Sequence, residues 1–176
     1  MKSFLLLFMF IPLVSFRFTD LKPVDADDAV SFSIKNFGIG TKGTFKGLRG
    51  TIKWDVANPA ASSFNVSVDV NTVNTGITSR DSHLKKEEYF DVAKYPTLNF
   101  VSSTVSKTSE GYSVTGNLTI KGTTKQVVIP FTVTTAGNGY LFEGNFTLDR
   151  RDYKVGGGSM VLGNEVKVTL KIQTTT

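Results

Sequence analysis

The feature that most constrains this chain is a period of two in its apolar residues. From Phe64 to Asn71 every second residue is apolar, and the residues between them are polar. Because successive side chains of a strand point to opposite faces, this pattern predicts a strand with one buried face. Four further segments alternate as clearly: Tyr112–Ile120, Val127–Val133, Tyr140–Leu148 and Val166–Ile172. Weaker patterns occur at Val30–Ile34, Phe45–Val56 and Leu98–Val105, so we expect about eight strands, the longest before Phe64.

Short turn signals separate these strands and indicate hairpins. They are Ser109–Gly111, Lys121–Thr123 and Ala136–Gly139. Antiparallel strands joined in this way expose one polar face and must hide the apolar one. Since the sequence shows no comparable amphipathic helices, the sheet either closes into a barrel or folds into a sandwich.

One segment interrupts the alternation. Residues 79–95 are rich in charge and lack Gly and Pro, and Pro96 then returns the chain to an extended form. With Ser79 as the capping residue, the pattern predicts a short helix over Asp81–Glu88. This insertion is the candidate lid of the barrel.

The composition excludes several kinds of site and leaves open a carboxylate-rich site for a hard cation. The chain contains no Cys and one His, which excludes a disulfide framework, a thiolate zinc site and a zinc site built from several histidines. Arg80, Asp81 and His83 resemble a hydrolase cluster, but no G-x-S-x-G nucleophile elbow accompanies them. We expect no enzyme, no metal site and no cofactor, and we keep a hydrolase that uses His83 as the weakest alternative.

The first residues have the layout of a signal peptide. Met1-Lys2-Ser3 precedes an apolar run from Phe4 to Val14, and the small residue Ser15 follows. That run is shorter than the roughly 20 residues a spanning helix needs. We expect cleavage after Ser15, a domain over residues 16–176, and a periplasmic or secreted protein.

The positive charge of the chain is spread out. The formal net charge is +5, but the basic residues from Lys35 to Lys154, Arg150 among them, form no dense run. We expect them on solvated faces, and we expect no binding of nucleic acid.

Several separated motifs resemble those of the YceI-like family. They are Val30–Gly38, Gly43–Gly47, Arg80–Leu84, Tyr89–Val92, Tyr95–Phe100, Gly116–Thr124 and Leu148–Tyr153. They occur in the family's order, and the resemblance covers essentially all of residues 25–173.

The resemblance implies an all-β fold, an antiparallel eight-stranded, lipocalin-like barrel with a short helical insertion. It also implies an exported carrier or storage protein that holds a polyisoprenoid or a similar long-chain amphiphilic lipid in an apolar interior. Transient contact with a membrane and pairing into a homodimer stay open. The alternative is a β-sandwich interaction or adhesion module with a filled core.

Two groups of residues are the candidates for ligand contact. Large apolar residues on the inward side of the strands form the expected wall: Phe32, Phe45, Trp54, Val68, Phe100, Ile129, Phe131, Phe142 and Phe146. The insertion supplies polar contacts from Arg80 and His83 at the rim, and apolar contacts from Leu84 and Phe90.

Overall fold

A computed structural model describes residues 19–176 of the chain, and the predicted signal peptide lies outside them. Within these residues it shows nine strands, one α-helix and two 3₁₀ turns, Pro59–Ala61 and Arg150–Tyr153. The strands are β1 (Thr19–Pro23), β2 (Val30–Asn36), β3 (Ile39–Trp54), β4 (Ser63–Asn74), β5 (Thr97–Thr108), β6 (Gly111–Ile120), β7 (Thr123–Ala136), β8 (Gly139–Asp149) and β9 (Leu162–Thr175). The helix is α1 (Thr78–Leu84), and no helix in the described part is long and apolar enough to cross a membrane.

The sheet closes on itself as an antiparallel barrel. Strands β4 to β9 pair in chain order, β9 pairs with β2, β2 pairs with β3, and β3 pairs back with β4. Eight positions therefore surround the interior, which confirms the predicted eight-stranded barrel. The sandwich alternative is wrong, because one continuous ring of hydrogen-bonded strands replaces two facing sheets.

The ninth strand does not widen the ring. Strand β1 lies between β3 and β9, with Leu21 opposite Ile52 and Lys22 opposite Thr175. Strand β2 also pairs with β3 and β9, but nearer the start of each of these strands. The strands β1 and β2 together therefore take the place of one barrel strand that is interrupted in the middle. The Asp25 carboxylate fixes the interruption by accepting hydrogen bonds from two backbone N–H groups of β3, at 2.9 and 3.0 Å.

Strand β3 is the longest strand, as predicted, and it bends to close the ring. Its pairing with β4 shifts register twice, between Thr44 and Arg49. Gly47 and Gly50 lie on the bent part with φ of 71° and 134°. A Cβ atom on Gly50 would lie 2.1 Å from the backbone oxygen of Asn65, so only glycine lets β4 approach this closely.

The predicted helix is placed wrongly along the chain. It spans Thr78–Leu84 rather than Asp81–Glu88, and Ile77 rather than Ser79 is its N-cap residue. The carboxylate of Asp81 accepts hydrogen bonds from the backbone N–H and the hydroxyl of Thr75, which fixes Asp81 in the first turn. After Leu84 the chain forms a wide loop instead of further helical turns.

The two ends of the barrel differ. At one end five aromatic rings pack edge to face, with centroids 4.9 to 5.8 Å apart: Trp54, Phe64, Tyr112, Phe131 and Phe142. We call this cluster the aromatic floor. At the other end residues 78–96, which we call the lid segment, join β4 to β5, and the loop of residues 150–161 joins β8 to β9.

The bend of β3 generates a prediction about stability. Gly50→Ala forces a side chain against the β4 backbone at an unfavourable φ, and we expect it to lower the free energy of unfolding by about 2 to 3 kcal/mol. Denaturant titration followed by circular dichroism measures this loss. Gly40→Ala is the matched control on the same strand, since its Cβ meets no atom within 4 Å. Similar losses for both variants would contradict a special role for Gly50.

Candidate functional site

The barrel encloses an apolar cavity of about 250 Å³. The inward side chains of strands β2 to β9 line it, and β9 alone contributes residues from Leu162 to Ile172. Ten residues of a strand tilted by about 40° correspond to roughly 25 Å along the barrel axis. The cavity is therefore long and narrow.

The aromatic floor closes one end of this cavity. Phe64, Phe131 and Phe142 line its base, and Trp54 packs behind them against Phe131 and Phe142. The indole Nε1 of Trp54 is buried without a hydrogen-bond partner. The floor is thus held by ring packing, and its two residues with polar atoms, Trp54 and Tyr112, lie outside the cavity lining.

The lid segment covers the opposite end with apolar side chains. Leu84, Tyr89 and Phe90 line the cavity there. The rings of Phe90 and Phe45 pack edge to face with their centroids 5.6 Å apart. The ring of Phe45 in turn packs against that of Phe32, with the centroids 5.3 Å apart. This chain of rings connects the lid segment with the wall formed by β2 and β3.

A lysine fastens the lid segment to the barrel. The ammonium group of Lys121 donates hydrogen bonds to the carbonyl oxygens of Glu87 at 2.6 Å, Lys154 at 3.0 Å and Glu88 at 3.3 Å. The backbone N–H of Gly156 donates to the same Glu88 carbonyl at 2.9 Å. Lys121 lies in the β6–β7 turn with φ of 48°, a conformation that sequence reasoning did not predict.

A buried arginine organises the loop beside the lid segment. All five N–H groups of Arg150 donate, to the carbonyl oxygens of Val155, Gly157, Leu162 and Gly163 and to the side-chain oxygen of Asn164. Burial lowers the pKa of its guanidinium from the usual range, although an arginine stays charged in proteins. The expectation that Arg150 lies on a solvated face is wrong, because backbone carbonyls replace water around it.

The cavity brings together eleven of the thirteen candidate residues. They are Phe32, Phe45, Val68, Arg80, Leu84, Phe90, Phe100, Ile129, Phe131, Phe142 and Phe146. Trp54 lies in the aromatic floor, outside the lining. His83 is exposed on the outer side of the lid segment, where its ring meets the edge of Tyr89 at 5.0 Å.

The cluster that resembles a hydrolase site is divided in the structure. Arg80 and Asp81 both bind Thr75, while His83 lies beside Glu88, with Nε2 3.7 Å from a carboxylate oxygen. These contacts connect the lid segment to the end of β4 and to itself. Among residues 19–176, no group of three or more His, Asp or Glu residues is arranged to hold a metal ion.

The geometry agrees with a family of known proteins. Residues 22–174 match the YceI-like domain. The chain belongs to the YceI-like family. A UPF0312 protein of Yersinia enterocolitica is 35% identical over 151 residues, which are 82% of this chain and 79% of the relative.

Solved structures of the family share the fold. BcnA of Burkholderia cenocepacia has a TM-score of 0.78 and 30% identity, covering 89% of this chain and 96% of its own. A YCEI protein of Campylobacter jejuni has a TM-score of 0.69 and 22% identity, covering 100% of this chain and 99% of its own. A domain from Saccharophagus degradans, described as polyisoprenoid binding, has a TM-score of 0.66 and 15% identity, covering 89% and 98%. At such low identity, the last two show the YceI-like fold alone.

Arg150 generates a prediction about the β8–β9 loop. Arg150→Ala leaves several buried carbonyl groups without donors, and we expect it to lower the free energy of unfolding by about 3 kcal/mol. Arg151→Ala is the matched control, because the neighbouring side chain is exposed, and we expect a change below about 0.5 kcal/mol. Denaturant titration measures both. A loss for Arg150→Ala no larger than that of the control would show that its hydrogen bonds add nothing to stability.

Proposed function

We propose that this protein binds one long-chain isoprenoid, or a similar amphiphilic lipid, inside the barrel and serves as an exported carrier or store. The observation that carries the proposal is the long, narrow and apolar cavity between the aromatic floor and the lid segment. The polyisoprenoid-binding description of the Saccharophagus degradans domain, which has the same fold, supports this class of ligand.

The shape of the cavity favours a linear chain. Binding pockets for compact small molecules measure about 300 to 1,000 Å³. Here about 250 Å³ extends over roughly 25 Å, so the space suits a chain that lies along the barrel axis. A bulky ring system would have to displace the walls.

The apolar lining provides the binding energy. Each methylene group that leaves water contributes about 0.8 kcal/mol, before the cost of ordering the chain is subtracted. A long tail therefore binds without specific polar contacts. Selectivity then comes from the width of the cavity and from its length, which the aromatic floor limits.

We infer a binding role rather than catalysis. Arg80 and Asp81 are engaged with Thr75, and His83 lies outside the cavity, so these groups do not converge on a bound tail. Hydrolysis would need a nucleophile in contact with a base. The cavity lining instead consists mainly of hydrocarbon.

The proposal of export rests on the signal-peptide layout of residues 1–15. A lipid carrier outside the cytoplasm, in the periplasm or the surrounding medium, would shield its ligand's tail from water. The barrel needs no disulfide for this, because its closed hydrogen-bonded ring and apolar interior hold it together.

The test is to extract the purified protein with organic solvent and identify the extract by mass spectrometry. We expect about one isoprenoid or other long-chain lipid per chain. Val168→Trp should remove the ligand, because Val168 lines the middle of the cavity and the larger ring fills a narrow space. Reloading with a prenyl alcohol of defined length should then fail for this variant.

Val128→Trp is the matched control for the cavity block. Val128 lies on the outer face of β7, where 59% of its surface is exposed, so the same substitution should leave the ligand in place. Circular dichroism verifies that both variants fold. Ligand loss in both variants, or a folded wild-type protein that neither carries nor takes up lipid, would contradict the proposed function.

A further inference from the structure

An exposed apolar cluster projects from the lid end of the barrel. Phe37 and Ile39, in and beside the β2–β3 hairpin turn, are each 72% exposed, and Met160 is fully exposed. The backbone N–H of Phe37 donates to the carbonyl of Val161 at 2.9 Å, which holds the hairpin against the β8–β9 loop. We call Phe37, Ile39, Met160 and Val161 the apolar tip.

The hairpin holds its aromatic residue in an unfavourable conformation. Phe37 and Gly38 form the two-residue connection between β2 and β3, with φ of 49° and 76°. Such turns favour Asn, Asp or Gly at the first position, and a bulky residue there is strained. A strained backbone that presents an exposed aromatic ring points to a function outside the fold.

The apolar tip adjoins the cavity. Asn36 and Leu162, which are next to Phe37 and Val161 in the chain, line the cavity and face each other across β2 and β9. The opposite end of the cavity is closed by the aromatic floor. A lipid tail that enters or leaves at the lid end therefore passes close to the apolar tip.

Three lysines lie on the outer face of the adjacent strands β2, β3 and β9, just below the apolar tip. Ser33 of β2 lies between Lys42 of β3 and Lys167 of β9 on the outer face, and Lys35 is two residues nearer the tip. All three lysines are exposed, and none lies within 4.0 Å of a carboxylate in the described part of the chain. We call Lys35, Lys42 and Lys167 the lysine belt. Two exposed carboxylates, Glu165 of β9 and its partner Asp149 of β8, lie on the same outer face, so the three lysines exceed them by one positive charge.

We propose that the apolar tip and the lysine belt dock this protein onto an anionic lipid bilayer. The tip inserts at the boundary between head groups and acyl chains, and the belt lies against the negatively charged head groups. The benefit of docking, exchange of a lipid ligand with the bilayer, rests on the function proposed above. Docking itself is measured without any ligand, so the two proposals fail separately.

The observations favour a bilayer over a second copy of the chain. The tip consists of four residues, whereas a stable dimer buries about 800 Å² on each partner. Symmetric pairing through this end would also bring two lysine belts together, and their like charges repel. An anionic bilayer accepts both the small apolar tip and the positive charge around it.

The experiment is a flotation assay with vesicles of phosphatidylcholine alone and of phosphatidylcholine mixed with phosphatidylglycerol. It uses the chain from Phe16 onward, which contains the whole described barrel and lacks the apolar run Phe4–Val14 that would itself bind lipid. We expect wild-type protein to float with the anionic vesicles, and to float less as salt screens the charges. Phe37→Asp and Met160→Asp should each weaken binding about ten-fold or more.

Two matched controls distinguish loss of the docking surface from a nonspecific effect of removing an exposed apolar side chain or of changing the net charge. Val128→Asp places the same charge at an exposed apolar site on the outer wall, and it should leave vesicle binding unchanged. Lys35→Glu should weaken binding to anionic vesicles, whereas Lys107→Glu, near the opposite end of the barrel beside Tyr112, should not.

Phe37→Asn provides a test that loss of folding cannot imitate. Asn adopts the positive φ of this turn more readily than Phe, so the variant should keep or raise the melting temperature while it loses vesicle binding. Three results would overturn the proposal: wild-type protein that does not float with anionic vesicles, equal losses in tip and control variants, or a wild-type dimer that Phe37→Asp converts to monomers.

Discussion

Closure of the sheet through β3 is the constraint on which the rest of the structure depends. An open eight-stranded sheet would leave two unpaired edges and an exposed apolar face. Strand β3 removes both by pairing with β2 and β4, and the bend at Gly47 and Gly50 lets one strand reach both neighbours. Eight closed strands surround an interior that is just wide enough for side chains or for one slender ligand. The size of the cavity is therefore a consequence of the strand number and of where the inward side chains leave space.

The two ends of that interior are held by different forces. The aromatic floor is held by ring packing around Trp54. The lid end is held by two cations, Arg150 and Lys121, which bond to backbone carbonyls rather than to carboxylates. All five donors of Arg150 are used, four by backbone carbonyls and one by the side-chain oxygen of Asn164, so its charge organises the loop and offers no free N–H to a ligand. Arg150 and Lys121 thus hold the lid end together, and Arg80 is the cation of the lid segment that lines the cavity.

The sequence predicts the walls of this barrel better than its ends. Alternation depends on which face of a strand is buried, and it correctly indicates that β2 to β9 exist, although β3 begins at Ile39 rather than at the predicted Phe45. Strand β1 is missed because Thr19–Pro23 does not alternate and is fixed by its neighbours. Alternation also places Trp54 inward, but cannot tell a wall residue from one in the aromatic floor. Arg150 is missed because its partners are backbone oxygens of a loop, and neither residue type nor spacing indicates them.

The lid segment is held by different kinds of contact on its two sides, and this affects where a lipid tail could pass. At the β6–β7 turn, Lys121 ties the lid segment to the adjoining loop by donating hydrogen bonds to carbonyl oxygens of both, and separating the two would break these bonds. Toward β3, the contact of Phe90 with Phe45 is a packing of rings. An incoming apolar tail can replace that contact with another of the same kind, so opening there costs less. The β3 side is also where the hairpin that carries Phe37 begins, which brings the easier opening and the apolar tip to the same part of the rim.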